Sequence, residues 1–449
     1  MKIKIENNVY SYCSKDVVNL LLPLLQYDKV FWREGQYAKK KTNYNGYMID
    51  KRNGELLTGL IPKVVEFLQK RGINFELSGY NEKIKPANKP KLKGIKFRED
   101  QLRLISNAVD KQRGVVLSPT GSGKTIIAMG IMSCYPKKQI LFLCHTLDLL
   151  NQTHSEFKKY GFKSICLLGG GSKELDNSNI VISTIQTLSK FDVDSYCDRF
   201  DITIIDESHH VNSISSNYGK LLTNNLSPVK IGFTATLPEQ KEKLLALEGL
   251  IGPVIGELTM EEGIEKGILA IPKVKLINTP YKPTDLRKYH EIYDQLIVNN
   301  RNRNLLVVKE VRDYTRENKS VLVIVKEIEH GDNLIKLADL IGLTSIIFIQ
   351  GKTEGEQREK VKKALQDKKI KAVIATAIWR EGINIPSLNV IVNAAGGKSE
   401  IMTLQAIGRG LRTSAGKEEV IIVDFLDPYR YLAEHSIFRL QIYNSQGWI

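Results

Sequence analysis

The sequence predicts an α/β protein: two tandem parallel-sheet domains preceded by a small α+β accessory module. Three observations carry that expectation. Residues 115–129 read as a short apolar strand, a glycine-rich turn and the start of a helix, with Ser118-Pro119-Thr120-Gly121-Ser122-Gly123-Lys124-Thr125 in the turn. From Gln139 to Phe233 apolar strands alternate with helices, the pattern of a parallel sheet covered on both faces. Beyond about residue 270 the alternation restarts and runs to a last strand at Val420–Val423. The boundaries expected are 1–90 for the module and its linker, 91–270 for the first sheet domain and 271–449 for the second. A chain of 449 residues has room for three domains of about 150 residues each.

The first 80 residues lack a nucleotide-binding pattern. Asp16–Leu25 reads as a short helix stopped near Pro23 or just after it. Val30-Phe31-Trp32 and Tyr44–Asp50 read as strands, with turn signals at Arg33-Glu34-Gly35, Asn45-Gly46 and Arg52-Asn53-Gly54. Thr58–Lys70 places Leu60, Ile61, Val64, Val65, Phe67 and Leu68 at helical spacing and ends at Gly72. Residues 81–96 are polar, basic and hold two prolines, which reads as a linker.

Net charge is +15, and residues 1–96 carry 19 Lys/Arg against 9 Asp/Glu, a net of +10. Two-thirds of the excess thus sits in a fifth of the chain, which suits a polyanionic partner such as nucleic acid. A solvated basic surface is the other reading. Lys39, Lys40 and Lys41 lie among Trp32, Tyr37, Tyr44 and Tyr47. Such a mixture either grips a phosphate backbone and stacks bases, or is the core of a small domain. No apolar run approaches the roughly 18–20 residues that span a bilayer, so no membrane is expected. The first residues, MKIKIENNVYSYC, lack the apolar core of a secretion signal. The five cysteines form no close pair and read as reduced thiols of a cytosolic protein.

The chemistry gathers at strand ends. A strand, a glycine-rich turn and a helix N-terminus aim backbone N–H groups and a partial positive charge at one point, which makes a phosphate cradle. Lys124 is placed to reach the β- and γ-phosphates, and Thr125 to put its hydroxyl on a magnesium ion. Ser118 stands where the usual motif has its first glycine. Phe97 and Gln101, about 20 residues upstream at a helix start, offer an aromatic face and an amide suited to adenine. The apolar strand Ile202–Ile205 runs straight into Asp206-Glu207-Ser208-His209-His210, and Val229–Phe233 into Thr234-Ala235-Thr236. Ligands of parallel sheets sit at the carboxyl ends of strands. Asp206 is therefore placed to hold the metal and Glu207 to orient and deprotonate a water. His209 and His210 have no matching ligand set for a metal of their own. In the second domain Arg409 and Arg412, at i and i+3, share a helical face. They suit a phosphate, or a surface ion pair.

Taken together, these residues resemble the superfamily 2 helicases and translocases, from about Phe97 to the C-terminus. The run is Gln101, SPTGSGKT (118–125), CHTLDLLNQ (144–152), STIQTL (183–188), DESH (206–209), TAT (234–236), TAIWREGINIP (376–386) and QAIGRGLR (405–412). The resemblance implies two RecA-like domains that close over ATP. Lys124, Thr125 and Asp206 would bind Mg2+ and ATP, with Pro119, Thr120, Gly121, Ser122 and Gly123 around the phosphates and Phe97, Arg98 and Gln101 on the adenine side. Glu207 would activate water. Gln405, Arg409 and Arg412 would contact the γ-phosphate, and Gly382 and Asn384 would add nucleotide contacts. Thr234 and Thr236 would couple hydrolysis to domain movement, while Thr146, Gly170, Thr184, Gln186 and Thr376 would line the nucleic-acid groove.

Within the superfamily the chain looks most like phage branch-migration helicases of the UvsW type, with the RecG and XPB groups more distant. GELLTGLIPKVVEFLQKRGI (54–73) looks like the accessory domain of that group, and HSIFRLQIY (435–443) like its closing helix. Gln405 stands where many RNA helicases have His, Asn384 where Asp is frequent, and DESH replaces the DEAD of the RNA-unwinding group. The implied function is an ATP-dependent DNA helicase acting on forked or four-way DNA in the cytoplasm, the host's if the chain is phage-encoded. An RNA helicase and an ATP-switched nucleic-acid clamp are the competing readings. No nuclease or methylase constellation supports a restriction-subunit motor. A large wedge domain does not fit in about 90 residues, so a loop or hairpin at 30–55 or 281–300 is expected to split strands.

Overall fold

The computed structural model describes residues 1–34, 39–79, 83–170, 174–350, 355–376, 388–397 and 418–449. Contacts divide the chain into two compact units, Met1–Pro119 with Gly123–Thr259, and Met260–Ile449 with the short piece Thr120–Ser122. The accessory module and the first parallel sheet belong to the first, and the second sheet to the other.

The module is a four-stranded sheet with two helices. Strands β1 (Lys2–Ile5) and β2 (Tyr10–Cys13) pair antiparallel. A helix over Lys15–Leu25 follows, with Pro23 inside its last turn. β3 (Gln26–Glu34) and β4 (Lys39–Tyr47) then form a separate antiparallel hairpin, registered from Gln26↔Tyr47 to Glu34↔Lys39. Nine residues of strand reach about 30 Å. β5 (Glu55–Leu57) joins β2, the helix Ile61–Lys70 packs behind, and β6 (Glu76–Ser78) joins β1 in parallel.

The core of the module is shared with the motor at one edge. Ile3, Val17, Leu21, Leu60, Val64 and Leu68 cluster with Leu245 and Ala246, which lie on the helix Lys241–Leu250 of the motor sheet. The next residues of that helix, Leu247 and Leu250, face the motor core with Val9 and Leu57. The apolar positions 245–247 and 250 of this helix thus divide between two cores, while Lys241, Glu242, Lys243 and Glu248 keep its remaining surface polar. Arg113 fastens the seam: its Nη1 donates to Asn8 O (2.6 Å), its Nε to Ile251 O (2.8 Å) and its Nη2 to Leu250 O (3.2 Å). Lys63 pairs with Glu248, and Asn8 Nδ2 donates to Leu226 O (2.8 Å). Residues 83–96, expected as a linker, have no helix but are strapped to the motor. Gln112 bonds both backbone groups of Ile84, Ala87 N donates to Cys134 O, and Lys91 N to Ser133 Oγ. Composition reports polarity there correctly but does not encode backbone partners.

The first motor sheet has seven parallel strands: β7 (Arg113–Leu117), β8 (Ile140–Cys144), β9 (Ile165–Leu168), β10 (Ile180–Thr184), β11 (Ile202–Ile205), β12 (Val229–Thr234) and β13 (Val254–Glu257). Their spatial order is β13-β7-β12-β11-β8-β10-β9. β8, β10, β11 and β12 are buried at every residue, so their apolar runs follow from helices on both faces.

The second sheet is also parallel among its described strands: β14 (Ile271–Asn278), β15 (Val321–Ile324), β16 (Ile346–Ile349), β17 (Ala372–Ala375), β18 (Val390–Asn393) and β19 (Glu419–Leu426), in the order β14-β19-β18-β15-β17-β16. Two buried ion pairs brace it. Arg303 grips Asp427 with Nε and Nη2 (2.8 and 3.0 Å), and Arg439 Nε reaches Asp424 (2.7 Å). The expectation of an open loop over 281–300 fails in its second half. Tyr289–Tyr293 is a helix continued by a π turn over Asp294–Val298, and Ile292, Tyr293, Leu296, Ile297 and Val298 are core. Residues 281–288 have no helix or strand and are mostly exposed. In the other stretch expected to hold such an element, the hairpin β3–β4 spans part of 30–55.

Gly59 tests the seam between module and motor. A Cβ at this position would lie 2.2 Å from Glu248 O and 2.5 Å from Gly249 O. Gly59→Ala is expected to destabilise the first unit by about 1–3 kcal/mol and to raise hydrogen exchange across residues 1–79 above that of the strands β8 and β11. Unchanged exchange would mean that the module is not held at this contact.

Candidate active site and nucleic-acid edge

Because the first sheet is parallel, the ends of β7, β8, β10, β11 and β12 lie along one edge. The sequence puts the phosphate loop after β7, Thr146 after β8, Thr184 at the end of β10, Asp206 after β11 and Thr234 at the end of β12.

The phosphate loop is shaped by two left-handed glycines, Gly121 (φ 93°) and Gly123 (φ 98°). Gly123 is the N-cap of the helix Lys124–Ser133, so Lys124 and Thr125 occupy its first turn, where free N–H groups face outward. Ser118 and Ser122 are fully buried, and Pro119 is buried between the strand and the turn. Thr120 is half-buried. Ser118 N donates to Thr234 O (2.9 Å), which ties the start of the loop to the end of β12.

Lys124 reaches across to the end of β11. Its Nζ lies 3.8 Å from Glu207 Oε1 and 3.5 Å from Ser118 O. Asp206 N donates to Leu143 O (3.0 Å), and its own carboxylate accepts from Glu207 N (3.0 Å). Burial first, then the neighbouring Glu207, pushes the Asp206 carboxyl up to about 7, against the pull of Lys124. Two adjacent carboxylates therefore face one lysine, short of positive charge. Glu207 has φ 48°, a left-handed backbone seldom adopted by a side chain of this size. That turn swings its carboxylate back toward the phosphate loop.

Thr234 is buried, and its Oγ1 donates to Thr236 O (2.9 Å) and lies 3.1 Å from His209 Nδ1. His209 Nδ1 is also 3.5 Å from Glu207 Oε2. Thr234 thus touches the loop, through its carbonyl, and the acidic turn, through its hydroxyl. The shared histidine is not legible in the sequence beyond its place after a strand.

The adenine-side residues take a different arrangement from a simple open clamp. The side chain of Gln101 is buried; its Oε1 accepts from Arg98 N (3.2 Å), and its Nε2 lies against Gly123, 2.8 Å from where a Cβ would stand. Arg98 is engaged by Asp100 through Nε and Nη2 (3.0 and 2.9 Å). The Phe97 ring packs on Gly130 of the helix behind the phosphate loop. These contacts place Gln101 beside the loop and seat Phe97 against the protein.

Along the expected nucleic-acid edge, Gly170 (φ 63°) and Gln186 are exposed. Thr146 is the N-cap of the helix Leu147–Lys159, its hydroxyl accepting from Leu149 N (3.3 Å). Thr184 caps the short helix Ile185–Leu188 in the same way and is buried, with Thr187 Oγ1 at 2.9 Å. The hydroxyls of both threonines therefore serve helix starts, which leaves free N–H groups of those first turns to meet a phosphate. Thr376, at the end of β17 in the second unit, is buried. Gly382, Asn384, Gln405, Arg409 and Arg412 lie outside the described residues. Among the described residues no cluster of three His, Cys, Asp or Glu is arranged to hold a metal, and no helix is long and apolar enough to cross a membrane.

Residues 94–239 match the family model of the type III restriction enzyme res subunit, and residues 302–414 that of the helicase conserved C-terminal domain. The chain is similar to putative helicase 22 of Sulfolobus islandicus filamentous virus, at 24% identity over 98% of this chain and 86% of that one. It is also similar to the ATP-dependent DNA helicase uvsW of Enterobacteria phage T4, at 25% identity over 75% of this chain and 72% of that one. The solved helicase domain of Pyrococcus furiosus Hef shares the fold, with a TM-score of 0.51 and 13% identity over 77% of this chain and 97% of that chain. The two parallel sheets are thus tandem RecA-like domains, and the chain belongs to the superfamily 2 helicases, enzymes that use ATP to act on nucleic acid.

Proposed function

We propose that this chain is an ATP-dependent DNA translocase that unwinds or branch-migrates forked and four-way DNA. The observation that carries the reading is the meeting of Lys124 and Glu207, 3.8 Å apart, with Asp206 beside them at the end of a fully buried strand. The site fits a hard divalent cation. Asp206 and Thr125 offer carboxylate and hydroxyl oxygens, the donors magnesium prefers, at the sheet edge where Lys124 and Glu207 meet. When bound, Mg2+ would neutralise charge on the β- and γ-phosphates.

The protein's own groups then do the following. The N–H groups of the phosphate loop and the ammonium of Lys124 hold the phosphates. Glu207 accepts a proton from the water that attacks the γ-phosphorus, as the bond from that phosphorus to the β–γ bridging oxygen breaks and ADP leaves. Gln405, Arg409 and Arg412 keep the γ-phosphate roles that the family resemblance implies. Thr234 senses the change because its hydroxyl and carbonyl touch the acidic turn and the phosphate loop. Nucleic acid is gripped through phosphates along the strand-end edge, so binding is weakly sequence-dependent and falls steeply with salt. The excess of ten positive charges in residues 1–96 and the hairpin β3–β4 support a branched duplex as the substrate, the hairpin being long enough to separate paired strands.

Replacing Lys124 by Ala is expected to abolish both nucleotide binding and turnover, while Glu207→Gln keeps nucleotide binding and lowers kcat by about 10²–10⁴-fold. Fluorescent-nucleotide titration and steady-state ATPase assays read the two effects; substantial turnover in Glu207→Gln would remove Glu207 from the role of base. ATPase rate should rise most with a four-way DNA junction, less with linear duplex DNA and least with single-stranded RNA at matched nucleotide concentration. Stimulation by RNA alone would overturn the choice of DNA and leave the motor intact. Shortening the hairpin by removing residues 31–42 is expected to reduce strand displacement and to spare DNA-stimulated ATPase. Equal loss of both would count against the hairpin as the separating element.

A further inference from the structure

Three histidines, one of them far from the other two in the sequence, meet beside the acidic turn. His145 ends the run from β8 and immediately precedes the helix cap Thr146, while His209 and His210 follow Asp206 at the end of β11. β8 and β11 are adjacent strands, so their ends converge. The rings of His145 and His210 lie face to face, with centroids 3.6 Å apart and planes within 4°. Tyr218 backs His145 from 6.3 Å at 14°, and His210 leans on His209 at 4.2 Å and 37°. His209 in turn reaches Thr234 Oγ1 and Glu207 Oε2, at 3.1 and 3.5 Å. A continuous set of side-chain contacts therefore runs from the neighbour of Thr146 to the carboxylate assigned as base.

The stack has the properties of a lever. Burial, then the neighbouring histidines, push the pKa of His210 down to about 3, and burial lowers His209 as well. Flat rings in close face contact leave no gap to absorb a displacement, so a shift of one plane moves the other. At the far end, Glu207 has the left-handed backbone described above and begins the short 3-10 turn Ser208–His210. Such a conformation persists only where its surroundings hold it, and His209 and His210 belong to the same turn.

We propose that His145 and His210 are positioning residues that transmit nucleic-acid occupancy at the Thr146 end of β8 to Glu207 and Thr234. Filling the groove shifts the His145 ring; the stacked His210 follows; the turn Ser208–His210 then sets Glu207 in line for the attacking water. The stack governs the ratio of stimulated to basal hydrolysis, and neither ring touches nucleotide or nucleic acid. This inference rests on the reading of the chain as a DNA-dependent ATPase.

The test measures kcat for ATP with and without saturating linear duplex DNA, together with DNA affinity by fluorescence anisotropy, for the full chain and for His145→Ala, His210→Asn and His145→Phe. In the first two variants basal kcat and DNA Kd are expected to stay within about twofold of the parent, while stimulation by DNA falls roughly tenfold, within the usual range of coupling between sites. His145→Phe, which keeps a planar ring, should recover most of the stimulation. The double variant His145→Ala/His210→Asn should be no worse than either single one, because both remove the same contact. Should His145→Ala fail to fold, as judged by thermal unfolding, His210→Asn reads the same ratio. Full stimulation in His210→Asn, or basal and stimulated rates falling in parallel, would overturn the inference. A parent chain whose ATPase ignores DNA and RNA would instead overturn the reading beneath it, and this inference with it.

Discussion

Asp206 and Glu207 stand on consecutive residues at the end of a strand buried on both faces, and two like charges in such a place need compensation. Lys124 supplies one positive charge from the neighbouring loop, and the carboxyl of Asp206 remains raised even so. Much of the first unit is arranged around that imbalance. The strand β11 is buried at every residue, with three isoleucines and a Thr203 whose hydroxyl is satisfied by Asn225 and Ser227, and it delivers the acids to the one edge where a phosphate loop, with its inward N–H groups, can accept a nucleotide. Asp206 itself is fixed by a backbone bond to β8, so the acidic pair cannot drift from the sheet edge.

The same edge explains why one site can sense two ligands. In a parallel sheet every strand ends on the same side, so the nucleotide loop after β7 and the helix starts after β8 and β10 share a border only a few strands wide. Thr146 and Thr184 fill helix N-caps with their hydroxyls, and the first turns they cap present N–H groups outward. In the proposed function both ligands are anionic oxygens that these helix N-termini would hold, at different points of one border. Communication between them requires side chains that bridge neighbouring strand ends, and Thr234, His209 and the His145–His210 pair are such bridges.

How much of this the sequence discloses depends on the range of the interaction. The strands at Ile140–Cys144, Ile180–Thr184, Ile202–Ile205 and Val229–Thr234 are legible because burial on two faces leaves a predominantly apolar run, broken only by residues such as Thr203 and Lys230 whose polar atoms find buried partners. The phosphate loop is legible because its glycines, lysine and threonine are local to one turn. The face-to-face rings of His145 and His210 are not, since two residues that follow different strands leave no periodic mark. The π turn at Asp294–Val298 escapes notice because Leu296, Ile297 and Val298 sit beside polar residues that resemble a loop. The strap at 83–96 is hidden because it is held through its own backbone groups, by Gln112, Ser133 and Cys134 far from it in sequence. The accessory module is legible as strands and helices, but its dependence on Leu245 and Ala246 is not: those residues read as ordinary motor core.

That shared helix has a consequence for how the chain is made. Residues 1–79 are synthesised before the helix Lys241–Leu250, which adds Leu245 and Ala246 to their core. At ordinary elongation rates the gap is about 10–30 s. During that interval the cluster of Val17, Leu21, Val64 and Leu68 lacks these two members. The core of the module is therefore sealed only once the motor helix has been made.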